Sequence, residues 1–96
     1  MRARKRFVVI AYDITDNRRR IKVADMVQQY GGRVNLSVFE CLLTDSQLIS
    51  LQAGITQLID CKTDKIAFYT LCMDCYAKIT YIPERKHFIH TPTIVV

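Results

Sequence analysis

Hydrophobic positions along this chain alternate between two spacings. Phe7, Val8, Val9, Ile10, Ala11 and Tyr12 form an unbroken apolar run, followed by Asp13 and Ile14. Its length and β-branched content predict a strand, and the absence of polar alternation places that strand centrally in its sheet or covers it on both sides. Thr15-Asp16-Asn17 then opens a helix, with Asp16 or Thr15 available to cap the free amides of the first turn. The helix is predicted over 17–30, where Val23, Met26, Val27 and Tyr30 recur at i, i+3, i+4, i+7 and so share one face. Gly31-Gly32 is expected to stop it, because glycine adopts the left-handed conformation at little steric cost.

Residues 33–38 switch to alternation, with Val34, Leu36 and Val38 on one face and Arg33, Asn35 and Ser37 on the other. Over 39–43 the apolar parity slips by one residue, which predicts a bulge or a break into a second short strand. Thr44-Asp45-Ser46-Gln47 has the form of a capping box. Leu48, Leu51, Ile55, Leu58 and Ile59 make the buried stripe of the helix it opens, which should end near Asp60. Gly54 lies inside that helix and weakens it slightly. Residues 64–71 are mostly apolar and predict another strand. Met73-Asp74-Cys75 reads as a turn, 76–82 as a short extended piece able to pair again, and 83–87 as a polar connection. Residues 93–96 read as a final strand, which needs a surface to pin it.

The order β-α-β-β-α-β with a β tail predicts an α+β, ferredoxin-like fold in which two helices cover one face of an antiparallel sheet. Residues 1–96 are expected to form a single domain, because a second core could not bury enough apolar surface to offset its own ordering. Its core would span residues 6–72, with 73–96 as an extension. The remaining sheet face needs a use. The paired aromatic motifs of RNA-recognition domains are missing from the expected strands. The face is therefore predicted to pack on its copy in a sheet-to-sheet homodimer, the C-terminal strand docking on the partner.

Composition narrows this picture. Half of the residues are hydrophobic and 24% are charged, as in a globular chain and unlike a disordered one. The formal net charge is +5, and the cations fall in two groups, Arg2, Arg4, Lys5 and Arg6 before the first strand and Arg18, Arg19, Arg20 and Lys22 after it. Such flanks suit a polyanionic partner, since phosphate binding is driven by neutralisation and counterion release; they also suit solvated ends of a strand and a helix. The basic start followed by an apolar run imitates a signal peptide, but six apolar residues are too few for one. No stretch reaches the length of a membrane span. A cytoplasmic location with the four cysteines reduced is expected, without a membrane partner.

Asp13 closes the first strand, where a carboxylate either anchors nearby amides or serves as a functional group. One carboxylate holds a hard divalent cation weakly, but Mg²⁺ keeps most of its waters and needs only one or two carboxylates plus phosphate oxygens. A two-fold axis would duplicate Asp13 and supply the second. Asp16 is expected as a cap instead of a ligand. Arg18 and Lys22 share a helix face, while Arg19 and Arg20 spread to either side. Cations at a helix N-terminus oppose its dipole, and no acidic residue stands at i+4 to compensate, which favours phosphate binding for this group. Cys72 and Cys75 form one C-x-x-C. A zinc site would have to recruit Cys41 and Cys61 at irregular spacing, and a redox dithiol would need the motif to open a helix after a strand. Reduced thiols without either role are the simpler expectation. His87 and His90 carry no assignment, and no phosphate loop or nucleophile elbow is present.

Val9-Ile10-Ala11-Tyr12-Asp13-Ile14, a basic helix, Ser37-Val38-Phe39-Glu40-Cys41, a leucine-rich helix and the stretch 64–72 together closely resemble the small CRISPR-associated adaptation protein family, the second core Cas protein, "Cas two". Cys72, Cys75 and the apolar end Ile94-Val95-Val96 extend the resemblance over nearly the whole chain. It implies a ferredoxin-like homodimer and a metal-dependent endonuclease lineage acting on RNA or double-stranded DNA. It also implies a scaffold role in spacer acquisition, in complex with a CRISPR-associated integrase that handles prespacer DNA. By that resemblance Asp13 is the metal-binding and catalytic aspartate, with one Mg or Mn ion shared by the two Asp13 of a dimer. Tyr12, Arg20, Arg33, Ser37 and Phe39 stand at other positions tied to activity or to the dimer cleft: Tyr12 as catalytic, Arg33 on nucleic acid, Ser37 and Phe39 in the cleft. A related stand-alone ribonuclease toxin of similar fold is the alternative function.

Overall fold

The computed structural model describes residues 4–82. Its elements are β1 (Lys5–Asp13), α1 (Asn17–Gln28), β2 (Gly31–Asn35), β3 (Val38–Thr44), α2 (Asp45–Leu58), β4 (Lys65–Leu71) and α3 (Met73–Ala77). The sheet order is β2-β3-β1-β4 and every neighbouring pair is antiparallel. This is the α+β ferredoxin-like arrangement, with β1 inside the sheet as its continuous apolar sequence predicts.

Successive side chains of β1 divide between two layers. Val8, Ile10 and Tyr12 join Val23 and Val27 of α1, Leu51 and Ile55 of α2 and Phe39, Cys41 and Leu43 of β3 in the main core. Phe7 points the other way and packs with Leu42 and Tyr76 in a smaller cluster against which Val9 and Leu71 lie. Both helices begin on local caps. The Asp16 carboxylate accepts from the Arg19 amide at 2.9 Å. Thr44 and Gln47 exchange side-chain-to-amide bonds at 3.2 and 2.9 Å, completing the predicted capping box.

Four local expectations change. Helix α1 ends at Gln28, and the glycine pair opens β2 instead of terminating the helix in a left-handed turn. Gly31 is required by proximity: a Cβ there would collide with the Glu40 carbonyl oxygen and lie 2.7 Å from Cys41 Cα. The predicted alternation over 33–38 is cut by the β2–β3 hairpin turn at Leu36 and Ser37, which leaves Leu36 79% exposed and off any buried face. The pairing irregularity falls between Arg33 and Asn35, ahead of β3, so residues 39–43 run as one continuous buried strand. Finally, 73–77 is a helix and not a turn leading into an extended piece. Cys72 Sγ caps it by accepting from the Cys75 amide, and Tyr76 seats it against Phe7 with ring centroids 4.5 Å apart. The expected connection at 83–87, the strand at 93–96, and His87 and His90 lie outside the described residues.

Candidate functional site

Asp13 is the last residue of β1 and its alternation places it on the face opposite α1 and α2. Its Cα partner across the sheet is Lys65, the first residue of β4. A shallow pocket of about 290 Å³ opens here, lined by Ala11, Tyr12, Asp13, Lys65, Ile66 and Ala67. Asp13 is exposed and, among the described residues, its carboxylate forms no hydrogen bond or ion pair. A turn aspartate serving as a local anchor would accept backbone amides; in this loop Asp16 does that instead, as the cap of α1.

Tyr12 belongs to a different layer. Its side chain is buried among the helices, and its hydroxyl donates to the Leu36 carbonyl at 2.9 Å while its amide donates to the Ser37 carbonyl at 3.0 Å. These two bonds tie the hairpin tip to the end of β1 beside Asp13. Phe39 is likewise fully buried, its ring stacked near Tyr12 at 6.2 Å between centroids, and the Arg33 guanidinium lies over it at 5.3 Å. Ser37 stands at the hairpin turn, with its amide bonded to Asn35 Oδ1 at 2.9 Å.

The four cations of α1 separate into two kinds. Arg19 reaches across to Asp64, with Nε donating to Oδ2 at 2.7 Å and Nη2 to Oδ1 at 3.3 Å. The Asp64 side chain is wholly enclosed and also accepts from the Asp60 amide at 2.9 Å. The Arg19 guanidinium, followed by that amide, holds the Asp64 carboxyl below its usual range. Arg20 folds back on the β1–α1 loop, donating to the Ile14 carbonyl at 3.1 Å and to Asn17 Oδ1. Arg18 and Lys22 are exposed, and among the described residues neither is paired. The structure thus explains Arg19 by the fold, a reason the helix-dipole reading of the sequence did not contain, and leaves Arg18 and Lys22 presented to solvent. Sequence reasoning missed Asp64 because its partner is 45 residues away and no local spacing marks it.

The metal question turns on donor chemistry. Among the described residues no three His, Cys, Asp or Glu side chains gather into a ligand cluster. The Asp13 carboxylate is exposed and unpaired among the described residues, a hard oxygen donor of the kind a largely hydrated Mg²⁺ or Mn²⁺ takes, weakly from one carboxylate and more firmly where a second carboxylate or phosphate oxygens join it. No helix among the described residues is long and apolar enough to cross a membrane.

A four-stranded antiparallel sheet backed by two helices, with a carboxylate at the tip of an inner strand, defines the class as a ferredoxin-like α+β protein. The chain belongs to the CRISPR associated protein Cas2 family, whose sequence profile matches residues 6–79. It is 39% identical over 89 residues to a CRISPR-associated endoribonuclease Cas2 of Rhodospirillum rubrum, covering 92% of this chain and 72% of that protein. The crystal structure of Streptococcus pyogenes Cas2 superposes with a TM-score of 0.72 at 34% identity, covering 78% of this chain and 96% of that one. A chain of a partial Cas6-RT-Cas1–Cas2 complex superposes with a TM-score of 0.68 at 27% identity, over 82% of this chain and 92% of its own length.

Proposed function

We propose that the chain acts in CRISPR spacer acquisition as a homodimer that binds nucleic acid and hydrolyses phosphodiester bonds at a site built from the Asp13 carboxylates of two copies. The observation that carries this reading is the position of Asp13. It stands exposed and without a partner among the described residues, at the end of an inner strand, on the sheet face opposite the two long helices. Packing two such faces about a two-fold axis brings the two carboxylates toward one another. A Mg²⁺ or Mn²⁺ ion bound there supplies charge neutralisation at the phosphodiester and a more acidic water. The two Asp13 carboxylates would hold that ion, while Arg18 and Lys22 would neutralise flanking phosphates. Arg20, bonded to the Ile14 carbonyl, and Tyr12, bonded to the Leu36 carbonyl, keep the loop and hairpin around Asp13 in place.

Cleavage of RNA or double-stranded DNA should require Mg²⁺ or Mn²⁺. It should fall to background in Asp13→Ala while nucleic-acid affinity is retained. Cleavage that persists in that variant would exclude Asp13 as the reacting site.

A second reading has its own support, the likeness to a chain from a Cas1–Cas2 complex. In it the dimer is the scaffold for a CRISPR-associated integrase acting on prespacer DNA, and Asp13 is dispensable for integration. Running cleavage and integration side by side on parent and Asp13→Ala separates the two. Loss of integration with an intact complex removes the scaffold-only reading.

A further inference from the structure

Cys72 and Cys75 have no part in the chemistry described above, yet the fold gives them the setting that the sequence alone did not. Strand β4 ends at Leu71, Cys72 is the cap of α3, and Cys75 is the third residue of that helix. One helical turn brings the two side chains to the same side: the Cys75 amide donates to Cys72 Sγ at 3.4 Å. Residues so spaced across a first helical turn have Cα atoms about 5–6 Å apart, inside the range a disulfide spans. Both residues are exposed.

The two sulfurs are unequal. The Cys75 amide, and then its thiol, hold the Cys72 thiol below the ordinary range, while the Cys72 sulfur pushes the Cys75 thiol up. Cys41 is the opposite case, buried in the main core and pushed up to about 12 by loss of solvent and by the Glu40 charge, which makes it inert. Beside Cys72 lies a pocket of about 330 Å³ whose other walls include Arg4, Lys5 and Arg6, with Asp74 the acidic residue in its lining. An anionic low-molecular-weight disulfide would meet a surplus of positive charge there.

We propose that Cys72 and Cys75 are a reversible redox pair, with Cys72 as the attacking thiol, Cys75 as the resolving thiol, and a glutathione-type disulfide as the oxidant. The Cys72 thiolate attacks one sulfur of oxidised glutathione, forming a mixed disulfide and expelling one glutathione thiolate. Cys75 loses its proton to solvent and attacks Cys72 Sγ, forming the Cys72–Cys75 disulfide and expelling the second glutathione. Two protein thiols and one glutathione disulfide become one protein disulfide and two glutathione thiols. Excess reduced glutathione reverses both steps. Oxidation would clamp the first turn of α3, whose Tyr76 closes the smaller core on Phe7.

The test uses the full chain equilibrated at graded ratios of reduced to oxidised glutathione, quenched with acid, alkylated and mapped by mass. The parent should lose the Cys72 and Cys75 thiols together, while Cys41 remains a thiol. Cys75→Ser should accumulate glutathione on Cys72, whose sulfur keeps the bond from the residue 75 amide, and Cys72→Ser, where Cys75 has lost its Cys72 neighbour and gains no such amide, should take it up at Cys75 more slowly. Both substitutions are at exposed positions, and circular dichroism checks that the fold is kept. Dithiols that survive in oxidised glutathione alone would overturn the proposal. So would equal glutathione uptake by the two single variants, or oxidation that appears only as cross-links between chains.

Discussion

Arg19 and Arg18 are adjacent in sequence and do different work. Arg19 is held by Asp64 and Asp16, whereas Arg18 and Lys22 face solvent. Arg18→Ala and Lys22→Ala should each weaken nucleic-acid binding and lower the slope of log affinity against log salt by about 0.7–0.9, one released counterion apiece. Arg19→Ala should instead lower the thermal midpoint, with a smaller change in that slope. Filter binding at several salt concentrations beside thermal melts distinguishes the two. The same ion pair gives the fold a pH dependence. Asp64 is depressed in the folded state, chiefly by Arg19, so its contribution is complete above the ordinary aspartate range, about 4, and is lost as pH falls through the lower folded value. Melting temperatures between neutral pH and acid should therefore drop less steeply for Asp64→Asn than for the parent, from a lower starting point.

At the scale of elements, the two glycines at 31 and 54 look alike in sequence and differ in what surrounds them. A side chain at Gly31 meets the main chain of β3, which cannot move without breaking the β2–β3 ladder. One at Gly54 meets the Met26 thioether, 2.9 Å from Sδ, at the end of a flexible side chain. Gly31→Ala should destabilise by roughly 1–3 kcal/mol or more. Gly54→Ala should be near neutral or stabilise by up to about 1 kcal/mol, the helix gain offset by repacking of Met26. Urea denaturation of both variants checks the contrast. The boundaries of α1 follow the same logic. Its start was legible from Asp16, a short-range cap. Its end was not, because Gly31 serves contact with a strand nine to ten positions downstream and not the local conformation of the helix.

For the whole molecule, the smaller cluster under α3 covers only part of the second sheet face among the described residues, and Tyr69, opposite Val9, remains 57% exposed there. If that face joins two copies, a charge placed on it must be desolvated in the interface. Tyr69→Asp should raise the dimer dissociation constant by at least about tenfold, a change of roughly 1.4 kcal/mol, while the monomer keeps its circular dichroism spectrum. Sedimentation over a concentration series measures it, and an unchanged dimer would place the interface elsewhere.

Short-range rules, acting through neighbours a few residues apart, made much of this protein legible. The apolar run of β1 announced an inner strand, the 3.6-residue stripes announced both long helices, and Asp16 and Thr44 announced where those helices start. With the topology rules of antiparallel sheets, these were enough to derive the α+β order. Tertiary structure decided everything that depends on distant partners. It assigned Arg19 to Asp64, turned Tyr12 and Phe39 inward, made Gly31 a contact residue, and converted Met73-Asp74-Cys75 from a turn into a capped helix. The reason is common to all four: each is set by a contact across the sheet or between layers, where the energy of burial or pairing exceeds local preference. Asp13 sits at the boundary between the two, placed at the tip of β1 by sequence pattern and left without a partner among the described residues by the fold.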